Sequence, residues 1–391
     1  MSTLYSNNIN PASLPDRIDE VIDQTLADKR LVGAVIQVAI DGAMIYSRAA
    51  GHADRELNKP MREDSLFRLA SVSKPIVSTA ALVLVAKGQL KLDDRVDRWL
   101  PEFKPQLQNG EHATMTIRHL MTHTAGLTYR FFQEENGSYQ RAGVSDGMDQ
   151  PGITLEENLR RLATVPLLYT PGTEWKYSIA TDVLGAVIAK VTDTSLSEAV
   201  HSLVTKPLGM SDTGFIAGDP ERLATAYAND VPEPRPLREL DRIAFLEGTA
   251  GFQLTPGRAL DDTAYHSGGA GMVGSAGDLL QLLETLRKGG APLLPEYLFR
   301  EMTTNQIGDL PMAYWPGRGF GLGITVLKDP IAANTPESPG TWRMGGTYGH
   351  SWFVDPVQRL SVVAFTNTAL EGMAGQFTVD LCEAVYKSIK K

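Results

Sequence analysis

Cysteine is almost absent: the 391 residues contain one, Cys382. A lone thiol forms no internal disulfide, so a packed core must hold the fold. Cys382 sits in an amphipathic stretch from Phe377 to Ile389 and reads as a small buried hydrophobe. Long apolar runs are missing as well. The longest, Ile76 to Ala86, is broken by Ser78 and Thr79 and is too short to span a bilayer. No basic run exceeds Lys390-Lys391, and the formal net charge is −9, which excludes nucleic acid or an anionic membrane as the main partner. Met1 to Arg17 lacks a cationic segment followed by an apolar one, so no secretory leader is expected and the reading is a soluble, cytoplasmic protein. What is present is ordinary globular composition, 42% hydrophobic and 21% charged, which excludes collagen-like, low-complexity and disordered chains.

Between Leu14 and Lys29, Ile18, Val21, Ile22 and Leu26 recur at helical spacing. Val32 to Ile40 and Ala43 to Ala49 are strand-like and flank Asp41-Gly42, a two-residue hairpin turn. Near the other end, Gly319 to Leu327, Gly349 to Asp355 and Leu360 to Asn367 read as strands, and a final helix runs from about Gly375 to the end. Thr116 to His123, Leu155 to Ala163, Ile179 to Val191 and Leu196 to Val204 read as helices, with Pro-rich connectors such as Val231 to Pro236 between them. The expected class is α+β: an antiparallel sheet from both chain ends, terminal helices against it, and an inserted, mostly helical region. The expected division is 1–80 with 262–391, and 81–261 as the insert, with the active site in the cleft between them.

Two serines sit in patterns that could activate a hydroxyl. Gly143-Val144-Ser145-Asp146-Gly147 fits G-x-S-x-G, but that motif works on a sharp turn between a strand and a helix, and the flanks of Ser145 offer neither. Ser145 therefore reads as a solvated loop serine. Ser71-Val72-Ser73-Lys74 is an S-x-x-K that opens the helical stretch Val72 to Gly88. Residues three apart share a helix face, so Lys74 can stand beside the Ser71 hydroxyl. The unpaired amides of a helix start favour a developing alkoxide.

The chain resembles the serine-reactive β-lactamase and DD-peptidase superfamily over roughly Leu14 to Tyr386, and within it the family VIII carboxylesterases. The residues that carry the resemblance are Phe67 to Pro75 (FRLASVSKP), His119 to Leu127 (HLMTHTAGL), Pro171 to Ser178 (PGTEWKYS), Gly268 to Met272 (GGAGM) and Gly345 to Trp352 (GGTYGHSW). The resemblance implies Ser71 as acyl-accepting nucleophile, Lys74 as its base, Tyr177 as proton relay, and the backbone N–H groups of Ser71 and Thr347 as oxyanion donors. It also implies that no cofactor is needed. The third motif, K-T-G in β-lactamases and usually W-G-G in these esterases, here reads Met344-Gly345-Gly346. With no cation there, tight capture of a β-lactam carboxylate is not expected. Met in place of Trp softens that wall of the acyl pocket.

An unperturbed Lys titrates near ~10.4 and a Tyr near ~10, so a base working near neutrality needs a fall of roughly two to three units. The sequence leaves open which of Lys74 and Tyr177 provides it. Tyr129, Asp182, Met344, Gly345, Gly346, His350 and Trp352 are the further candidates for substrate contact. Phe131, Phe132, Trp175 and Trp315 are candidate apolar walls. His119 and His123 are four apart, but no third ligand completes a metal set, so both read as scaffold. The Gly-rich stretch Ser267 to Gly277 lacks the Lys-Ser/Thr of a phosphate loop. The expected function is a carboxylesterase for short-chain esters of small molecules, acting as a monomer or homodimer. The alternatives are a β-lactamase or DD-peptidase, an acyltransferase, and a non-catalytic binding module.

Overall fold

The computed structural model describes residues 8–9, 13–150 and 152–390. The stretch read for a leader, Met1 to Arg17, lies largely outside the described residues. An eight-stranded antiparallel sheet forms the centre. Its strands are β1 (Gly33–Ile40), β2 (Ala43–Asp54), β3 (Lys59–Pro60), β4 (Arg318–Phe320), β5 (Thr325–Leu327), β6 (Trp342–Gly346), β7 (His350–Asp355) and β8 (Leu360–Thr366). Their order is β4-β5-β6-β7-β8-β1-β2-β3, so β8, near the C-terminal end, pairs with β1 at the sheet's centre.

Both faces of the central strands are covered. Ala34, Ile36 and Val38 of β1 and Leu360, Val362 and Ala364 of β8 pack against helices α1 (Leu14–Ala27) and α5 (Gln376–Lys387). Val35, Val363 and Phe365 point the opposite way, into the larger core. Cys382 is buried in the α1–α5 layer, as expected of a small hydrophobe. On the other face, α2 (Ser73–Ala86) is buried along nearly its whole length and packs on α3 (Ala180–Thr192). Helix α4 (Ala276–Arg287) covers β8 and β1 from this side. Among the described residues no helix is long and apolar enough to cross a membrane.

The hairpin at Asp41-Gly42 forms with both residues at positive φ, 54° and 88°, as a type I′ geometry requires. Three boundaries differ from expectation. The stretch Gly319 to Leu327 is two strands, β4 and β5, joined by a turn in which Gly321 N–H donates to Ile324 O. Gly323 there has φ 88°, and a Cβ on it would lie 2.0 Å from Ser78 Oγ of α2, so the turn is pressed onto the central helix. The helix expected over Leu196 to Val204 loses α geometry after Val200 and continues as a wider π turn over His201–Thr205. The C-terminal helix begins at Gln376, after a separate turn at Glu371–Ala374, and stops at Lys387.

Candidate active site

Ser71 stands on a strained turn. Phe67–Arg68 pairs antiparallel with Val273–Gly274, and Leu69 N–H donates to Met272 O. The next residue, Ala70, has φ 44°, a left-handed conformation uncommon for a residue with a Cβ. Such a residue persists only where its surroundings over-determine it, and Ala70 is wholly buried. The chain then makes one 3₁₀ turn, Ala70–Val72, and runs into α2. Gly346 of β6 closes on this turn: a Cβ there would sit 2.4 Å from Leu69 O.

Lys74, one turn into the helical run, is 0% exposed. Its Nζ donates to Ser71 Oγ at 3.1 Å and to Gly269 O at 2.8 Å. It lies over the Tyr177 ring, 4.6 Å from the centroid, and 5.2 Å from that of Tyr129. Burial pulls the Lys74 amine down to about 7, against the opposite pull of the Asp182 and Asp146 carboxylates. Burial pushes the Tyr177 phenol up, and its hydrogen bond with Ser71 offsets this only in part. Burial thus acts in opposite directions on the two groups, bringing the amine toward neutrality and moving the phenol away from it.

The surroundings of Lys74 are anionic and ordered. Asp182, also 0% exposed, accepts from Gly269 N–H at 2.8 Å and from Ser267 Oγ at 2.7 Å. It thereby fixes the peptide whose carbonyl receives Lys74. Asp146 accepts from the N–H groups of Arg130 and Phe131, which sets the segment carrying Tyr129. Burial pushes the Asp146 carboxyl up to about 7. His123 accepts from Ser178 N–H at Nδ1 (3.2 Å) and packs tilted against Tyr177, with ring centroids 4.7 Å apart. His119 accepts from Thr116 N–H in a helix-start cap, so the two rings serve separate segments.

These groups open into a cavity of about 350 Å³ lined by Ser71, Tyr129, Tyr177, Met344, Gly345 and Thr347. Phe131, Phe132 and Trp315 form apolar walls. Trp175 does not line the cavity but backs Trp315, with ring centroids 5.5 Å apart. Strand β5 pairs with β6 only at Arg343 and Trp342, so the edge of Met344 to Gly346 has no strand beside it there. Among the described residues, the N–H groups of Ser71 and Thr347 donate to no acceptor. A hydroxyl beside a nearly dry amine, with two free amides at the rim, can lose its proton and have the resulting charge on a bound carbonyl stabilised.

Four candidates for substrate contact do not reach the cavity. Asp182 lies beneath it, engaged with Gly269 and Ser267. His350 is sandwiched by Phe67 and Phe365 with Nε2 on Arg68 O at 2.8 Å, which ties β7 to the strand before Ser71. Trp352 is 0% exposed and packs edge-on against Trp342. Gly346 lies behind the cavity wall rather than on it. Ser145 is not solvated: it is 1% exposed, donates to Asp149, and is met by Tyr265 OH at 3.0 Å and Gly147 N–H at 3.1 Å. Phe245, Phe252, Tyr314, Met148 and Met373 also line the cavity. Phe245, Tyr314 and Met148 come from connectors, Phe252 opens a three-residue strand and Met373 sits in the turn before α5, so no shared periodic pattern marks them.

The chain is similar to known proteins over most of its length. The chain is 50% identical to Esterase EstB of Burkholderia gladioli over 380 residues, 97% of each chain. It is 26% identical to monacolin J acid methylbutanoyltransferase of Aspergillus terreus over 88% of each. A solved structure described as EstCE1, a hydrolase with promiscuous acyltransferase activity, superposes with a TM-score of 0.94 at 46% identity, covering 96% of this chain and 99% of that one. The Beta-lactamase family profile matches residues 18–381. A serine and a lysine one helical turn apart, at the meeting of a buried helix and a sheet edge, thus stand in a chain matched over nearly its whole length, and this protein belongs to the beta-lactamase family.

Proposed function

We propose that this protein is a serine carboxylesterase, of the family VIII type, that hydrolyses short-chain esters of small molecules through an acyl-enzyme on Ser71. The observation that carries the reading is the Lys74 amine, buried and held near 7, at 3.1 Å from Ser71 Oγ on the floor of an aromatic cavity. Lys74 takes the proton of Ser71 as Oγ bonds to the ester carbonyl carbon. The N–H groups of Ser71 and Thr347 hold the oxyanion. Its collapse breaks the bond to the alkoxide, which leaves with a proton relayed from Lys74 through the Tyr177 phenol. Water then repeats the attack with the same pair as base, the Oγ–carbon bond breaks, and Ser71 regains its proton. No step calls for a cofactor. The division into 1–80 with 262–391 and 81–261, the cytoplasmic setting and a monomeric or homodimeric state complete the reading.

The aromatic walls favour a second outcome, transfer of the acyl group to an alcohol in place of water. Product analysis with competing alcohols separates the two. Intact mass and peptide mapping after exposure to a fluorophosphonate test the nucleophile. One adduct on Ser71 is expected; an adduct on Ser145, or none, overturns the reading.

A further inference from the structure

Beyond Ser71 the same cavity reaches a pair of cations with no role in the steps above. Arg318 of β4 and Arg343 of β6 both line it. They share one carboxylate: Arg318 Nη2 donates to Glu337 Oε2 at 2.9 Å, and Arg343 Nη1 donates to the same oxygen at 3.2 Å. The third partner of that oxygen is the uncharged Thr335 hydroxyl, at 2.9 Å. Two guanidiniums facing one carboxylate leave one positive charge over. The Arg318 side chain is only 8% exposed, and among the described residues its Nη1 is buried with no partner. Arg343 is more open, 24% exposed, and its remaining N–H groups meet no acceptor among the described residues.

A guanidinium does not discharge on burial as an amine does, so two of them sharing one carboxylate keep N–H groups and net charge to offer an anion. Its planar fork suits a carboxylate. Side chains alternate along a strand, so Arg343 shares its face with Gly345, and the flexible Met373 side chain that packs over Gly345 lines the same cavity. About 13 Å of strand separates Arg343 from Thr347 at the oxyanion position, less the reach of the arginine. We infer that this corner is an anion subsite, and that preferred substrates are esters carrying a carboxylate remote from the scissile carbonyl, received by Arg343 with Arg318 behind it. The inference rests on Ser71 as nucleophile and names the substrate class of that site.

The test compares charged and capped probes on the intact chain. One series is p-nitrophenyl monoesters of linear dicarboxylic acids of increasing length; the other is acetyl esters of hydroxycarboxylic acids, with the carboxylate on the alcohol side. Each is paired with its methyl-capped twin. In one series the charged ester is expected to show kcat/KM about ten- to hundredfold above its twin, with an optimum chain length. Arg343→Gln should erase that advantage through KM while p-nitrophenyl butyrate turnover and the melting temperature hold. Equal values for charged and capped esters on the unmodified chain, or an advantage that survives Arg343→Gln, overturn the subsite. Loss of all ester turnover would instead sink the Ser71 reading. Calorimetric binding of the free dicarboxylates, with and without Arg343→Gln, still decides the subsite in that case: binding to the unmodified chain that Arg343→Gln removes supports it, and no binding, or equal binding, overturns it.

Discussion

A serine, a phenol and a charged side chain meet twice in this molecule. Ser71 has Tyr177 and Lys74; Ser145 has Tyr265 and Asp149. The second set even carries the better-known nucleophile pattern. It differs in three physical respects. Its charged member is a carboxylate already facing Arg130, at 3.4 Å, rather than an amine that burial pulls down to about 7. Its hydroxyl is saturated, with Asp149, Tyr265 and Gly147 N–H all upon it. It faces packed protein, whereas Ser71 faces the cavity. On the proposed reading, reactivity follows from a proton acceptor, free amides and access, and not from the residues that flank the serine in sequence.

The contrast can be broken most forcefully at the hydroxyls. Ser71→Ala is expected to lower ester turnover by at least about a thousandfold with little change in melting temperature. Ser145→Ala should keep turnover within a few-fold while losing about 1–3 kcal/mol of stability, read by chemical denaturation. The phenols come next. Tyr177→Phe should slow turnover of a chromogenic ester by about 10²-fold, and Tyr265→Phe should leave it nearly unchanged; comparable losses from both would erase the distinction.

The smallest effect sharpens the electrostatic side. A base must be unprotonated to act, so kcat/KM should climb as pH rises through about 7 and then level off. The groups facing Lys74 are Asp182 and Asp146, whose charge favours its ammonium, with Tyr129, Tyr177 and His123 packed around it. Asp182→Asn removes one of those anions, so the rising limb should move to lower pH. Asp149→Asn should not move it. A limb unmoved by Asp182→Asn would reduce that residue to a support for Gly269.

Much of the fold was legible. Runs rich in Val, Ile and Ala with a turn at Asp41-Gly42 gave the central hairpin, and α1, α3 and α5 were legible as helices to within a few residues. The Gly319 to Leu327 stretch misled because its apolar run looks continuous, while the turn inside it is forced by the approach of α2. At the site, the spacing of Ser71 and Lys74 was readable because three residues on a helix are neighbours wherever the helix lies. Tyr177, Thr347 and Tyr129 came from the resemblance alone. Asp182, His350 and Trp352 were read as cavity residues because they neighbour cavity residues in sequence, but strand alternation and burial turn their side chains elsewhere. Phe245, Phe252 and Tyr314 went unread.

What the sequence determined by itself is local: which stretches coil, which extend, where the chain turns, and that a hydroxyl and an amine share one helical face. These follow from steric preferences and periodicity within a few residues. What the tertiary structure decided is the proton inventory and the reach of the site. The Lys74 amine is pulled down to about 7 because segments remote in sequence, around Tyr129, Tyr177 and Gly269, close over it and exclude water. The energy of a charge depends on every dipole and ion within several ångströms, and only the folded chain sets those distances.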